Sequence, residues 1–177
     1  MGTYFKILFY CGIPFGLIMA GFAAVFTWEF DWWLATWSGG LFGGLMSVCL
    51  GTYNVVSRLK SRVPLKGSVK QHHVVTLPLP YEQTFLLCVQ ALSELHEPTI
   101  HTQDETQGLI EVETGQTLKS FGEIVTIQLE KENEHTTKVT IASRPSQSLT
   151  LVDYGVNAVN VKQLTAFLES NKQMGMN

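Results

Sequence analysis

The chain has 177 residues, of which 45% are hydrophobic and 15% charged, and its formal net charge is −3. This length allows one ordinary domain plus a small appendage, and it excludes two full-sized domains with an active-site cleft between them. The three cysteines, Cys11, Cys49 and Cys88, lie far apart and form no Cys-x-x-Cys pair, so a disulfide framework is also excluded.

Charge is unevenly distributed along the chain. Residues 1–56 contain all four tryptophans but only three charged side chains, Lys6, Glu29 and Asp31. Residues 58–70 contain five basic residues and no acidic one, whereas residues 71–177 contain six basic and thirteen acidic residues, a balance of −7. This acidic balance argues against nucleic-acid binding, because affinity for a phosphate backbone comes mostly from clustered Lys and Arg.

Two long uncharged segments predict a membrane hairpin over residues 1–56. Residues 7–26 are twenty uncharged positions, enough for a helix to cross the roughly 30 Å core of a bilayer. Residues 32–56 form a second uncharged run, and the tryptophans cluster at the connection, where amphipathic rings prefer the headgroup level. A cleaved signal peptide is the alternative for the first segment, but its apolar run is long and a second span follows.

Small residues recur at every fourth position in both predicted spans. They are Gly12, Gly16, Ala20 and Ala24 in the first span, and Gly39, Gly43, Ser47 and Gly51 in the second. Each series forms a strip along one helix face, and such strips let two helix backbones approach closely in a membrane. Two interpretations stay open: the strips pack on each other in a tight hairpin, or a strip contacts a partner subunit. Gly40 and Gly44 lie beside the second strip, so that helix has two small-residue sides.

Basic residues follow the second span directly. They are Arg58, Lys60, Arg62, Lys66 and Lys70. Lys and Arg beside a span stay on the cytoplasmic side, and each is attracted to anionic headgroups by about 1 kcal/mol. We therefore predict that residues 57–71 form a juxtamembrane linker at the lipid headgroups and that both termini are cytoplasmic. No Asp, Glu, Lys, Arg or His lies inside either span, which argues against an ion path, a proton relay or a haem ligand.

Residues 72–177 predict a cytoplasmic α+β domain with the order β-α-β-β-β-β-α. A first strand precedes a helix that starts at Pro80 and carries an apolar stripe, Phe85, Val89, Leu92 and Leu95. A short strand at residues 99–103 and three strands of period two follow, and a last helix covers residues 156–170. We expect an antiparallel sheet with one solvated face and with the two helices on the other.

The most distinctive polar stretch lies where the chain enters the last helix. Asp153 or Asn157 is placed to cap that helix, and Gly155 to adopt a positive φ. The alternative is that the helix N-terminus and Arg144 together receive an anion.

Other polar residues in this domain do not predict a metal or catalytic site. His72 with His73, and His96 with His101, form loose pairs without a nearby cysteine, so we interpret them as surface histidines. Glu111 and Glu113 share a strand face and are expected to be solvated. The chain contains no nucleophile elbow, phosphate loop or zinc-protease motif, so we expect no catalytic residue, metal or cofactor.

The layout resembles small bacterial proteins of uncharacterised function that join a Gly-rich membrane hairpin to a compact α+β domain. The matching residues are "LPLPY", residues 77–81, and "DYGVN", residues 153–157, and the resemblance covers most of the chain. It implies this architecture and a bacterial source, and hence a location in the inner membrane, and it implies no activity.

From these features we expect a non-catalytic accessory or scaffold subunit of a larger membrane complex. It would contact lipids, and it would contact other subunits through its small-residue helix faces. The alternative is a membrane-tethered lipid or small-ligand binding module, in which the sheet and the two helices enclose an apolar pocket.

Overall fold

The computed structural model describes residues 2–65, 68–147, 150 and 152–172. The chain divides into two compact units, Met1–Lys60 and Ser61–Asn177. The first unit contains α1 (Thr3–Thr27) and α2 (Trp32–Lys60). The elements of the second unit are β1 (Gln71–Leu77), α3 (Tyr81–Ala91), β2 (Thr99–Asp104), β3 (Leu109–Glu113), β4 (Glu123–Asn133), β5 (Thr136–Pro145) and α4 (Val156–Asn171). The predicted fold class, a helical hairpin followed by an α+β domain, is confirmed.

The connection between α1 and α2 is short and stabilised by hydrogen bonds. Trp28 ends α1 in the left-handed region, with φ 60°, and its amide donates to the Ala24 carbonyl oxygen at 2.8 Å. Asp31 caps α2, because its Oδ1 accepts hydrogen bonds from the amides of Trp33 at 2.8 Å and Leu34 at 3.1 Å. One of the two acidic residues between α1 and α2 therefore has a structural role at the start of α2.

Both helices of the first unit are long and apolar enough to cross a membrane. Only 22% of the apolar stretch in each helix is buried, and large side chains such as Phe5, Ile18 and Leu41 face outwards. A core helix of a soluble protein would bury such side chains, so this outer surface suits contact with lipid. Helix α2 continues past the predicted span to Lys60, and the first residues of the predicted linker are therefore helical.

The second unit is built on a five-stranded antiparallel sheet with the order β1-β5-β4-β3-β2. In the central β4–β5 pair, Val125 lies opposite Ser143, Ile127 opposite Ile141, and Leu129 opposite Val139. Because side chains alternate between the two faces of a strand, these residues point to the same side of the sheet. Helices α3 and α4 cover that side.

Apolar side chains fill the space between the sheet and the two helices. Those with no more than 3% of their surface exposed include Leu77, Phe85, Cys88, Leu92, Ile110, Val112, Val125, Ile127, Val139, Ile141, Leu164 and Leu168. This is the space that the ligand-binding alternative assigns to an apolar pocket. The described cavities of the second unit lie at its periphery instead.

The turn between β2 and β3 is held by one carboxylate. Asp104 Oδ1 accepts hydrogen bonds from the amides of Thr106 at 2.9 Å and Gln107 at 3.0 Å, and from Thr106 Oγ1 at 2.6 Å. Hydrogen bonds from Thr106 and Gln107 lower the pKa of Asp104. Gly108 completes the turn with φ 65°, where an added Cβ would lie 2.6 Å from both the Leu129 carbonyl oxygen and Tyr81 Oη. Glycine is required here by both conformation and space.

Candidate functional site

The two strips of small residues face each other inside the hairpin. A Cβ added to Gly12 would lie 2.6 Å from the Gly39 carbonyl oxygen and 3.3 Å from Gly43 Cα. A Cβ on Gly16 would meet the carbonyl oxygen of Ala35 on the opposite helix even more closely. Ala20 is fully buried, while Ala24, near the end of α1, is half-buried. The backbones of α1 and α2 are thus in direct contact. Only small residues allow two helices to approach this closely.

Towards the end of α2 the strip packs on Tyr4 of α1. Ser47 Oγ donates a hydrogen bond to the Tyr4 carbonyl oxygen at 2.8 Å, and a Cβ on Gly51 would collide with the Tyr4 ring. Between the helices, the rings of Phe15 and Phe42 stack with their centroids 4.1 Å apart. The strip on α2 is therefore occupied within the chain along its whole length.

A second small-residue face on α2 stays open. Among the residues that the structure describes, nothing lies within 4 Å of a Cβ built on Gly40 or Gly44, the two glycines one position beyond Gly39 and Gly43. Gly40 also lines a groove of about 370 Å³ between α1 and α2, whose other walls include Ile13 and Leu17. Of the small-residue surfaces predicted for partner contact, this is the one that the hairpin itself leaves accessible.

The predicted headgroup-binding residues do not share one environment. Lys60, Arg62 and Lys70 are exposed, as headgroup contact requires, while Lys66 lies outside the described residues. Arg58 is only 4% exposed, and its Nε donates to Asn54 Oδ1 one turn earlier, at 3.4 Å. The structure thus buries Arg58, while Lys60, Arg62 and Lys70 are accessible for the predicted headgroup contact.

The stretch before α4 forms a buried polar network. Asp153 is 3% exposed, and its Oδ1 accepts the amide hydrogen of Gly155, which has φ 83°, at 3.1 Å. Asn157 is fully buried: its Nδ2 donates to Asp153 Oδ2 at 3.3 Å, and its Oδ1 accepts from Ser143 Oγ of β5 at 2.7 Å. These hydrogen bonds fasten the start of α4 to the sheet, since buried polar groups need partners. Gly155 itself is the N-cap residue, and no side chain of the described residues caps the helix there.

Arg144 is not brought to this helix terminus. It follows Ser143 on β5, and consecutive strand residues point to opposite faces of a sheet. Because Ser143 points towards α4, Arg144 projects from the other face, where it is exposed. The structure therefore does not bring Arg144 and the α4 N-terminus together.

A surface depression of about 640 Å³ adjoins the same part of α4. Its walls come from the first residue of the second unit, the segment after α3, the β3–β4 loop and α4: Ser61, Glu94, Leu95, His96, Thr117, Leu118, Lys119, Tyr154, Val156, Val159, Asn160 and Gln163. Asn160 is 6% exposed, and its Nδ2 has no hydrogen-bond partner in the part of the chain that the structure describes. The depression thus combines apolar walls with amide, imidazole, ammonium and carboxylate groups.

The paired polar residues singled out in the sequence lie in separate places. His72 and His73 line a second depression, of about 480 Å³, beside α4. His101 Nε2 is 3.0 Å from Glu113 Oε2, an exposed pair across β2 and β3, whereas His96 lines the first depression. Among residues 2–65, 68–147, 150 and 152–172, no three His, Cys, Asp or Glu side chains converge to hold a metal ion.

Burial is the largest cause of the raised pKa values of two groups of the second unit. Burial raises the pKa of the Cys88 thiol to about 12, because the apolar core disfavours the thiolate. Partial burial, and then the negative charges of Glu105 and Asp104, raise the pKa of Tyr81, whose hydroxyl donates to the Glu105 carbonyl oxygen at 2.6 Å. Both groups are therefore protonated at neutral pH.

The sequence reasoning missed the β3–β4 loop, residues 114–122. Leu118 at its tip is fully exposed, with a relative exposure of 104%, and Phe121 is 65% exposed. At its base Glu123 is buried: its amide donates to Thr114 Oγ1 at 2.9 Å, and its Oε2 accepts from that hydroxyl at 2.6 Å. The available signal was the presence of Leu and Phe in an otherwise polar segment, "TGQTLKSFG", without strand periodicity.

No family model matches the chain, and no curated protein matches it. An uncharacterised protein from Bacillus thuringiensis is similar in structure, with a TM-score of 0.43 and 11% identity over 57% of this chain and 97% of that one. A protein from Thermus thermophilus has a TM-score of 0.42 and 12% identity, covering 61% of this chain and 99% of its own. The Zhui aromatase/cyclase from a Streptomyces species has a TM-score of 0.34 and 13% identity, covering 58% and 85%. TM-scores and identities this low carry no argument about function.

Proposed function

We propose that the chain is a non-catalytic accessory or scaffold subunit of a larger complex in the inner membrane of a bacterium. The hairpin anchors it with both termini in the cytoplasm, and the second unit is presented to the complex. The observation that carries this proposal is the open face of Gly40 and Gly44 beside a closed hairpin interface. A small-residue face of this kind lets the helix of another subunit approach α2 closely.

The packing of α1 on α2 leaves the face of Gly40 and Gly44 free for another helix. Gly39 and Gly43 already contact α1, so the open glycines Gly40 and Gly44 are not needed to hold α1 and α2 together. A bilayer provides little hydrophobic drive between helices, and close backbone packing then becomes the main source of association energy. The groove of about 370 Å³ beside Gly40 offers the partner helix a complementary depression.

The test compares glycines that have the same open surroundings. Native membranes containing the tagged full-length chain would be extracted in mild detergent and analysed by blue-native electrophoresis and co-purification. The double variant Gly40→Leu with Gly44→Leu should lose the high-mass species. Gly21→Leu, at an open glycine on α1, should keep it. A wild-type protein that runs only as a monomer, or a double variant that keeps the complex, would refute the proposal.

A second candidate function is lipid or small-ligand binding, now at the depression of about 640 Å³ rather than inside the core. The observation that favours it is the mixture of apolar walls with Lys119, His96 and Asn160, which suits an amphiphile with a polar headgroup. Native mass spectrometry of the full-length protein released from anionic phospholipid nanodiscs would test it. Gln163→Trp, inside the depression, should reduce retained lipid, whereas Ser170→Trp, on the same helix outside it, should not. Equal retention in both variants would eliminate this candidate.

A further inference from the structure

The exposed tip of the β3–β4 loop is ordered by its own hydrogen bonds. Thr117 and Ser120 form a two-residue turn: the Thr117 amide donates to the Ser120 carbonyl oxygen at 2.8 Å, and the reverse bond is 3.3 Å long. At the base, the Gly122 amide donates to Ser120 Oγ at 3.2 Å. Ser146 follows β5, and both its amide and its hydroxyl donate hydrogen bonds to the Gly122 carbonyl oxygen at 3.0 Å. Leu118 is thus held out into its surroundings by a defined turn.

The composition of this tip is unusual for a surface in contact with water. Leu118 is 104% exposed, Phe121 is 65% exposed, and Lys119 lies between them in sequence. Single exposed apolar residues are common, but two large ones within one short ordered loop mark a surface that is covered by something else. Apolar side chains flanking a lysine match a bilayer interface, where the apolar groups enter the acyl boundary and the ammonium stays among phosphates.

The position of the loop within the second unit favours the bilayer as its partner. Leu118 and Lys119 line the same depression as Ser61, the residue at which the chain enters this unit. Ser61 follows directly on α2, one of the two helices long and apolar enough to span a membrane. A covalent tether this short keeps the loop at a high effective concentration near the membrane surface, so that a small apolar contact suffices.

We propose that the β3–β4 loop inserts Leu118 and Phe121 into the interface of the bilayer that holds the hairpin, with Lys119 contacting anionic headgroups. The loop is a second membrane contact of the chain, independent of the subunit contact at Gly40 and Gly44. It fastens the second unit to the membrane surface and so limits the orientations in which that unit meets a partner.

Site-specific labelling of the full-length protein tests this contact. An environment-sensitive NBD fluorophore would be attached at Leu118→Cys in a background where Cys11 and Cys49 are replaced by Ser. Cys88 can remain, because it is fully buried and its raised pKa keeps it protonated. The labelled protein would be reconstituted singly into nanodiscs of zwitterionic and anionic phospholipids, with and without bromine on the acyl chains.

The matched control carries the same fluorophore at Leu86→Cys, an exposed leucine on α3 with 62% exposure. We expect blue-shifted emission at position 118 and a marked loss of intensity in brominated nanodiscs, with neither change at position 86. Equal emission at both positions, with no quenching, would overturn the proposal. A blue shift at position 118 without quenching by bromine would also overturn it, because the loop would then be covered by protein. Far-UV circular dichroism checks that both labelled chains are folded.

Discussion

Gly43 and Gly44 provide an internal test of the hairpin, because they are adjacent glycines with opposite surroundings. A Cβ added to Gly43 would lie 2.6 Å from the Leu8 carbonyl oxygen and 2.9 Å from Gly12 Cα, whereas no atom of the described part of the chain lies within 4 Å of a Cβ on Gly44. Both substitutions to alanine gain the same helix propensity, about 0.8–1.0 kcal/mol on scales from soluble hosts. The difference between them therefore isolates the packing of α1 on α2.

The expected magnitude follows from these distances. An ordinary contact begins at 3.4 Å, so Gly43→Ala forces the two backbones apart by about 0.8 Å at this point. A gap of that size forfeits a quarter to a half of the dispersion energy of each contact along the strip, and overpacking of this kind typically costs about 1–3 kcal/mol. The free energy of unfolding of Gly43→Ala should accordingly be about 1–3 kcal/mol lower than that of Gly44→Ala.

The assay is unfolding by SDS in mixed lipid and detergent micelles, followed by tryptophan fluorescence. All four tryptophans lie within residues 28–37, so the signal reports the hairpin and not the second unit. Gly43→Ala should shift the midpoint to a lower SDS fraction, and Gly44→Ala should leave it unchanged or raise it. Equal midpoints for the two variants would refute the assignment of Gly43 to the helix interface.

Two further predictions concern the second unit, and both are measured by chemical unfolding of the full-length protein with far-UV circular dichroism. Asn157→Ala should lower the free energy of unfolding by about 1–3 kcal/mol, because it removes the amide that bonds Ser143 and Asp153. Asn160→Ala, on the same helix, should lower the free energy of unfolding by clearly less. The reverse order would contradict the hydrogen-bond network described for α4. Cys88 has a folded pKa raised from 9.0 to about 12, so its stabilising effect is complete below pH 9 and is lost as pH rises towards 12. The wild type should therefore lose about 1.4 kcal/mol per pH unit in this window relative to Cys88→Ala, and parallel pH profiles would contradict burial of the thiol.

Much of the fold was predictable from local sequence patterns. The alternation of apolar residues around Val125, Ile127 and Leu129 defines a strand with one buried face, and β4 has that buried face. The four-residue spacing of Gly39, Gly43, Ser47 and Gly51 predicts one helix face, and all four residues are buried on α2. These patterns are local, because the geometry of one helix or strand decides which of its residues share a face.

The candidate sites were less predictable. Arg144 and the start of α4 are close in sequence, yet the pleat of β5 directs the arginine to the opposite face of the sheet. Arg58 lies among residues that favour headgroup contact by charge, but it is buried beside Asn54. Sequence spacing specifies neither which element covers a face nor which side chains from distant elements converge there.

The sequence by itself determined two apolar helices, the order of helices and strands in the α+β domain, and the uneven distribution of charge along the chain. Each of these features depends on composition or on a short repeat of apolar residues. Only the tertiary structure decided that the Gly39 strip packs on Gly12 while Gly40 stays open, and that Leu118 projects beside Ser61. These are relations between segments far apart in the chain, set by how the elements pack on one another.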